Sequence, residues 1–182
     1  MAVATFDQLR ASGGVITEGR IKIATSLASK NLFLSHSHRD IAHLGAALGL
    51  LEGYGASVYV DVRDAIGGDP NQVAERLRKA VVSCRRLVAL VTEATSTSRW
   101  IPWEMGLADG AAGSTQIALL PLRATGADAL WAQQEYFDLY GRIEYVTLSG
   151  ESAPCWAVRD PTDKKFWTLD QWMWRTTPPG RL

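Results

Sequence analysis

The chain is expected to be an α/β protein, a three-layer sandwich with a central parallel sheet. Three observations carry that expectation. Short apolar runs alternate with segments of helical period from Asn31 onward. The runs NLFLS, ASVYV, RRLVALVT and QIALLPL are near-continuous in apolar residues, as strands covered on both faces are. Polar or glycine-bearing loops follow the strands, the arrangement of a β-α-β-α-β-α-β series with right-handed crossovers.

Asn31–Ser35 is the first of these strands, and the polar stretch His36–Asp40 closes it. Ile41–Leu51 has a helical period and stops near Gly53 and Gly55. Ala56–Val60 is a second strand, rich in β-branched and aromatic residues. Asp61–Pro70 is a long polar loop containing Gly67-Gly68. Gln72–Val82 is a helix with Val73, Leu77 and Val81 on one face. Arg85–Thr92 is the third strand and, after a Ser/Thr-rich turn, Trp100–Ala112 the third helix, with Pro102 tolerated in its first turn. Gln116–Leu122 is a fourth strand, residues 124–140 a helix or irregular crossover, and Arg142–Leu148 a fifth strand. Phe6–Arg10 suits a short helix ended by Gly13-Gly14. The expected organisation is an N-terminal extension over 1–30, one domain over 31–148, and a tryptophan-rich extension over 149–182 that packs on it or offers a partner surface.

Composition excludes several classes. With 182 residues the chain suits one domain with a sizeable core. Its formal net charge is zero, which gives no footprint for nucleic acid. Cys84 and Cys155 lack ligand or disulfide-framework spacing, so a reducing, cytoplasmic location is expected. No signal peptide and no apolar run of spanning length is visible, so no membrane partner is expected. His36 and His38 near Asp40 suggest a metal site only weakly, because no fourth ligand is apparent. Asp40 is expected to cap the helix that follows it. Cys84, before a buried strand, reads as an inert small apolar residue, and Gly106, Ala108 and Gly110 as places of close helix–sheet packing.

The segment SRWIPWEMG holds the most informative pair. Trp100 and Glu104 are four residues apart, so they share one helix face. A carboxylate in the first turn of a helix after a buried strand lies where open α/β sheets place their ligand crevices. Read alone, Trp100 and Trp103 are also good core aromatics, and Glu104 also suits a helix N-terminal field.

Three motifs in order resemble the Toll/interleukin-1 receptor (TIR) family: FLSHSHRD (Phe33–Asp40), VRDAIGG (Val62–Gly68), and Ser98-x-Trp100-x-x-x-Glu104. The likeness is to bacterial stand-alone members, in particular the signal-producing TIR subunit of Thoeris antiphage defence. It implies a flavodoxin-like fold and an enzyme of NAD glycohydrolase or ADP-ribosyl cyclase type. Such an enzyme holds no permanent cofactor and takes NAD as its substrate. Glu104 falls on the catalytic glutamate, with Phe33, Ser35, His36, Ser37, Arg63, Asp64 and Trp100 as candidate substrate-binding residues. The resemblance also implies self-association through the loop at residues 61–70 and an effector protein coupled through the product. Gly67-Gly68 stands where the family usually has Pro-Gly, and His36 and His38 are departures in the first loop. Two other readings remain open: a non-enzymatic TIR-like interaction scaffold, and an unrelated nucleotide-processing enzyme in which Glu104 attacks the sugar covalently.

Overall fold

A computed structural model of the chain describes residues 3–14, 24–61, 69–98, 100–128, 135–162 and 164–174. The elements are β1 (Ala4–Thr5), α1 (Phe6–Gly13), β2 (Leu32–Ser35), α2 (Ile41–Gly53), β3 (Val58–Val60), α3 (Pro70–Ser83) and β4 (Arg86–Val91). They continue with α4 (Trp100–Ala112), β5 (Ile117–Arg123), β6 (Gly141–Val146), β7 (Cys155–Arg159), β8 (Phe166–Thr168) and α5 (Leu169–Trp174).

Among the described residues eight strands form one sheet, in the order β3-β2-β4-β5-β6-β7-β8, with β1 placed against β5. Pairing from β3 across to β6 is parallel, and so is that of β1 with β5. The expected α/β class, a mostly parallel sheet flanked by helices, is therefore present. β7 and β8 extend it by antiparallel pairing. These two strands come from the tryptophan-rich tail, where no strand was expected. β7 buries only its three central residues and β8 none fully, so neither has the long apolar run that marks the central strands.

Strand alternation builds two cores. Leu32, Leu34, Val88 and Leu90 face the α1–α2 side, together with Leu44, Leu48 and Leu51 of α2. Phe33, Leu87, Ala89 and Val91 face the α3–α4 side, against Leu77, Val81, Ile101 and Met105. Each such leucine stabilises the fold by roughly 1.5–3 kcal/mol relative to its exposed state. The expected helical face of Val73, Leu77 and Val81 is the face that α3 turns to the sheet.

The N-terminal helix begins with a capping box, Thr5 and Gln8 exchanging bonds with each other's backbone N–H. It ends at Gly14, whose φ of 66° suits glycine. α1 lies so close to α2 that a Cβ on Gly13 would come within 1.9 Å of the Ala46 carbonyl oxygen. Trp156 of β7 donates from Nε1 to Ser12 Oγ at 2.8 Å, tying the tail to this helix.

Arg86, a charge inside an apolar strand, is buried beneath the tail. Its Nε donates to the Met173 carbonyl at 3.0 Å and its guanidinium lies 4.6 Å from the Trp172 ring centroid. Trp156 and Trp172 are core residues, while Trp174 is exposed. Gly106 and Gly110 do not mediate helix–sheet packing as expected; both are exposed, and only Ala108 of that trio is buried. Cys84 is buried, and burial pushes its thiol up to about 11.

Candidate active site

The chain passes from β2 to β3 on one side and then crosses back to β4 on the other side of β2. The carboxyl ends of β2 and β4 therefore flank the switch point of the sheet, the place where open α/β sheets generally bind their ligands. The first loop carries Ser35, His36, Ser37 and Asp40. The second carries Thr92 and Thr95 and leads into α4 with Trp100 and Glu104.

Glu104 is 0 % exposed, and Ser35 Oγ donates a hydrogen bond to its Oε2. The pair bridges the end of β2 and the helix after β4. Ser35 can do this because strand alternation puts it on the Phe33 face, the α3–α4 side. α4 starts at Trp100, so Glu104 lies in its second turn, not its first as expected. The helix field falls off within the first turn and gives Glu104 less than a terminal carboxylate would receive. Ser98 opens the helix by accepting from the Ile101 N–H at 3.4 Å.

Trp100 is half-buried against the α3–α4 core and meets Trp103 edge-on, ring centroids 5.5 Å apart. The Arg78 guanidinium lies 5.6 Å from the Trp103 ring centroid. Phe33 is 1 % exposed and packs at 5.6 Å on Tyr59, so its side chain forms part of the floor beneath Ser35. His36 and Ser37 are buried at the crest of the first loop, and Ser37 Oγ accepts from the Arg39 N–H at 3.4 Å. His38 is exposed. Arg63 and Asp64 lie outside the described residues, as does most of the expected self-association loop.

Asp40 departs from its expected role. It makes no side-chain cap on α2. Its Oδ1 instead accepts from Thr92 Oγ1 at 2.7 Å, and Thr95 Oγ1 accepts from the Thr92 N–H at 2.9 Å. Burial pushes the Asp40 carboxyl above the usual range, and the Thr92 bond opposes that shift. This clamp between the two loops was missed because the stretch TEATSTS reads as a generic turn, and its partner is 52 residues earlier. Among the described residues no group of three or more His, Cys, Asp or Glu side chains is placed to hold a metal ion, and no helix is long and apolar enough to cross a membrane.

A mostly parallel sheet flanked by helices is consistent with the TIR fold, and the profile of the TIR domain family matches residues 32–154; the chain belongs to that family. It is similar to a protein of Bacillus cereus (strain MSX-D12) named "Probable 3' cyclic ADP-D-ribose synthase ThsB'", with 34% identity over 122 residues. The aligned part is 65% of this chain and 62% of that protein, so the chain spans less than two thirds of its relative's length.

Proposed function

We propose that this protein cleaves the bond between nicotinamide and ribose in NAD and releases an ADP-ribose or cyclic ADP-ribose type product. The product serves as a signal in bacterial antiphage defence, read by a separate effector protein in the cytoplasm. The observation that carries the reading is the buried Ser35–Glu104 pair at the switch point. The family membership and the name of the Bacillus cereus relative support it.

The chemistry follows from the bond broken. The C1'–N electron pair leaves with nicotinamide, which departs neutral because it starts as a pyridinium cation. No general acid is needed. The ribose carbon left behind gains oxocarbenium character, and a fixed carboxylate stabilises it. Glu104 is that carboxylate, facing the developing charge or accepting from the ribose hydroxyls. Ser35 holds it in the free protein, and the ribose exchanges for this serine when substrate enters. Water completes hydrolysis by bonding to C1' and losing a proton to solvent, whereas cyclisation is completed when a hydroxyl of the remaining ADP-ribose part bonds to C1' and loses its proton in the same way. Trp100 packs beside the sugar, and His36 and Ser37 supply polar contacts, above a floor that includes Phe33. Arg63 and Asp64 contact the dinucleotide or a second copy, and the loop at 61–70 mediates self-association that completes the site.

The test is to incubate concentrated protein with NAD and resolve products by mass spectrometry, with Glu104→Gln alongside. Nicotinamide release by the wild type, lost in a folded Glu104→Gln protein, is the expected result. Equal release by both would remove Glu104 from the chemistry. No release at any protein concentration would favour the interaction-scaffold reading.

A further inference from the structure

Two side-chain bonds hold the carboxyl end of β2, one on each face of the sheet. On the α3–α4 side Ser35 donates to Glu104. On the α1 side Thr92 Oγ1 donates to Asp40 Oδ1 at 2.7 Å. Alternation along β4 decides the sides. Leu90 packs in the α1–α2 core and Val91 in the other, so Thr92 falls on the Leu90 side, where it and Asp40 border Phe6 and Leu122.

The strand ladder explains why a bond is useful there. The register of β2 with β4 ends at Ser35 and Ala89. Beyond that pair β2 turns into the loop carrying His36 and Ser37, while β4 continues through Leu90 and Val91 against β5. Asp40 shapes the first loop: its N–H donates to the Ser37 carbonyl at 2.8 Å. Burial raises the Asp40 pKa, and the Thr92 and Thr95 hydroxyls and the Ser37 backbone oppose that rise.

Thr92 shapes the second loop. Its Oγ1 accepts from the Ala94 N–H at 3.1 Å, and its N–H donates to Thr95 Oγ1 at 2.9 Å. Thr95 Oγ1 donates to the Leu90 carbonyl at 3.3 Å, and the Thr95 carbonyl accepts from the Ser98 N–H at 2.9 Å. Ser98 Oγ then accepts from the Ile101 N–H in the first turn of α4. A shift at Thr92 is thus passed through bonded steps to the helix that carries Trp100 and Glu104. Asp40, Thr92 and Thr95 are all buried, 3 %, 3 % and 2 % exposed. Apolar side chains would fill such a place with less desolvation, so what a satisfied polar network adds is a fixed geometry.

We propose that Asp40 and Thr92 are positioning residues for the Ser35–Glu104 site. Their bond sets the separation of the β2 end and the α4 start at which the serine meets the glutamate. The kinetic consequence rests on the NAD-cleavage reading; the structural one does not.

Thr92→Val removes the hydroxyl and keeps the side-chain shape, whereas Thr92→Ser keeps the hydroxyl. Hydrogen exchange of the full chain without substrate tests the holding itself. Thr92→Val is expected to exchange roughly tenfold faster over residues 35–40 and 98–108, with Thr92→Ser close to wild type. Unchanged exchange in Thr92→Val overturns the proposal, and so does equal acceleration throughout the sheet, β5 included. NAD turnover tests the positioning. Thr92→Val should lower kcat roughly tenfold, Thr92→Ser should restore it, and Thr92→Val/Ser35→Ala should be no slower than the slower single variant, because both changes act through one glutamate. Losses that multiply in the double variant overturn the positioning role. A wild type that releases no nicotinamide while Thr92→Val loosens both segments sinks the NAD reading and not the clamp, which the exchange has by then decided.

Discussion

Ser35 and Glu104 are 69 positions apart in the chain, yet the serine hydroxyl donates directly to the glutamate Oε2 in the buried seam between β2 and α4. The bond has two functions that a substitution separates. It satisfies a carboxylate held away from water, and under the proposed function it would fix the direction in which that carboxylate meets substrate. Ser35→Ala is expected to cost about 1–3 kcal/mol in urea unfolding, the usual range for removing a buried hydrogen bond to a charged group. NAD turnover should fall ~10-fold or more as the carboxylate loses its orientation. Ser35→Thr, which keeps the hydroxyl, should recover most of both.

Trp100 is expected to matter more to substrate than to the fold. It is half-buried, and its edge-on contact with Trp103 contributes about 0.5–1.5 kcal/mol. Trp100→Ala should therefore lower the urea midpoint modestly while raising KM for NAD ~10-fold, equivalent to ~1.4 kcal/mol of binding. A change confined to stability would return Trp100 to the role of a core aromatic.

Glu144 offers a test of burial by pH. It is buried, Oε1 has no hydrogen-bond partner, and burial raises its pKa despite Arg159 and Arg142. The folded state thus holds this proton more tightly than the unfolded chain. The stabilising contribution is present below the ordinary carboxylate range and is lost as pH rises through the folded pKa. Glu144→Gln should be more stable than wild type at pH 7, and the difference should shrink towards zero near pH 4. Parallel urea titrations at the two pH values measure it.

Gly13→Ala tests how tightly α1 seats on α2. The added methyl meets a backbone carbonyl, which cannot swing aside as a side chain would. A loss of about 1–3 kcal/mol is expected from the forced separation. Calorimetric melting would show it, and an unchanged melting temperature would mean that the two helices slide apart at little cost.

Much of the fold was legible because its central strands are buried on both faces. Leu32–Ser35, Arg86–Val91 and Ile117–Arg123 have to be apolar almost throughout, and α3 displays its 3.6-residue stripe. β1, with two residues, and the antiparallel β7–β8 extension carry too little local pattern to be read, since their pairing is decided by distant partners. Trp100 and Glu104 stood out as a motif, but the second-turn placement of Glu104 and its complete burial depend on where α4 starts and on Ser35 at the end of β2. Asp40 illustrates the same limit. Its position before a helix suggested a cap, and only the return of β4 beside β2 brings Thr92 within reach.

The bond between Trp156 and Ser12 spans 144 positions, and Arg86 spans 87 to reach Met173. Contacts of such separation delay the completion of the core. A ribosome that has made the central strands still holds a sheet in which Arg86 lacks the Met173 carbonyl and the Trp172 ring, and α1 lacks the indole that clasps it. Strand β7 and helix α5, made after the central strands, then act as the fastening of the sheet, and folding of this part should be slow and concerted rather than piecewise.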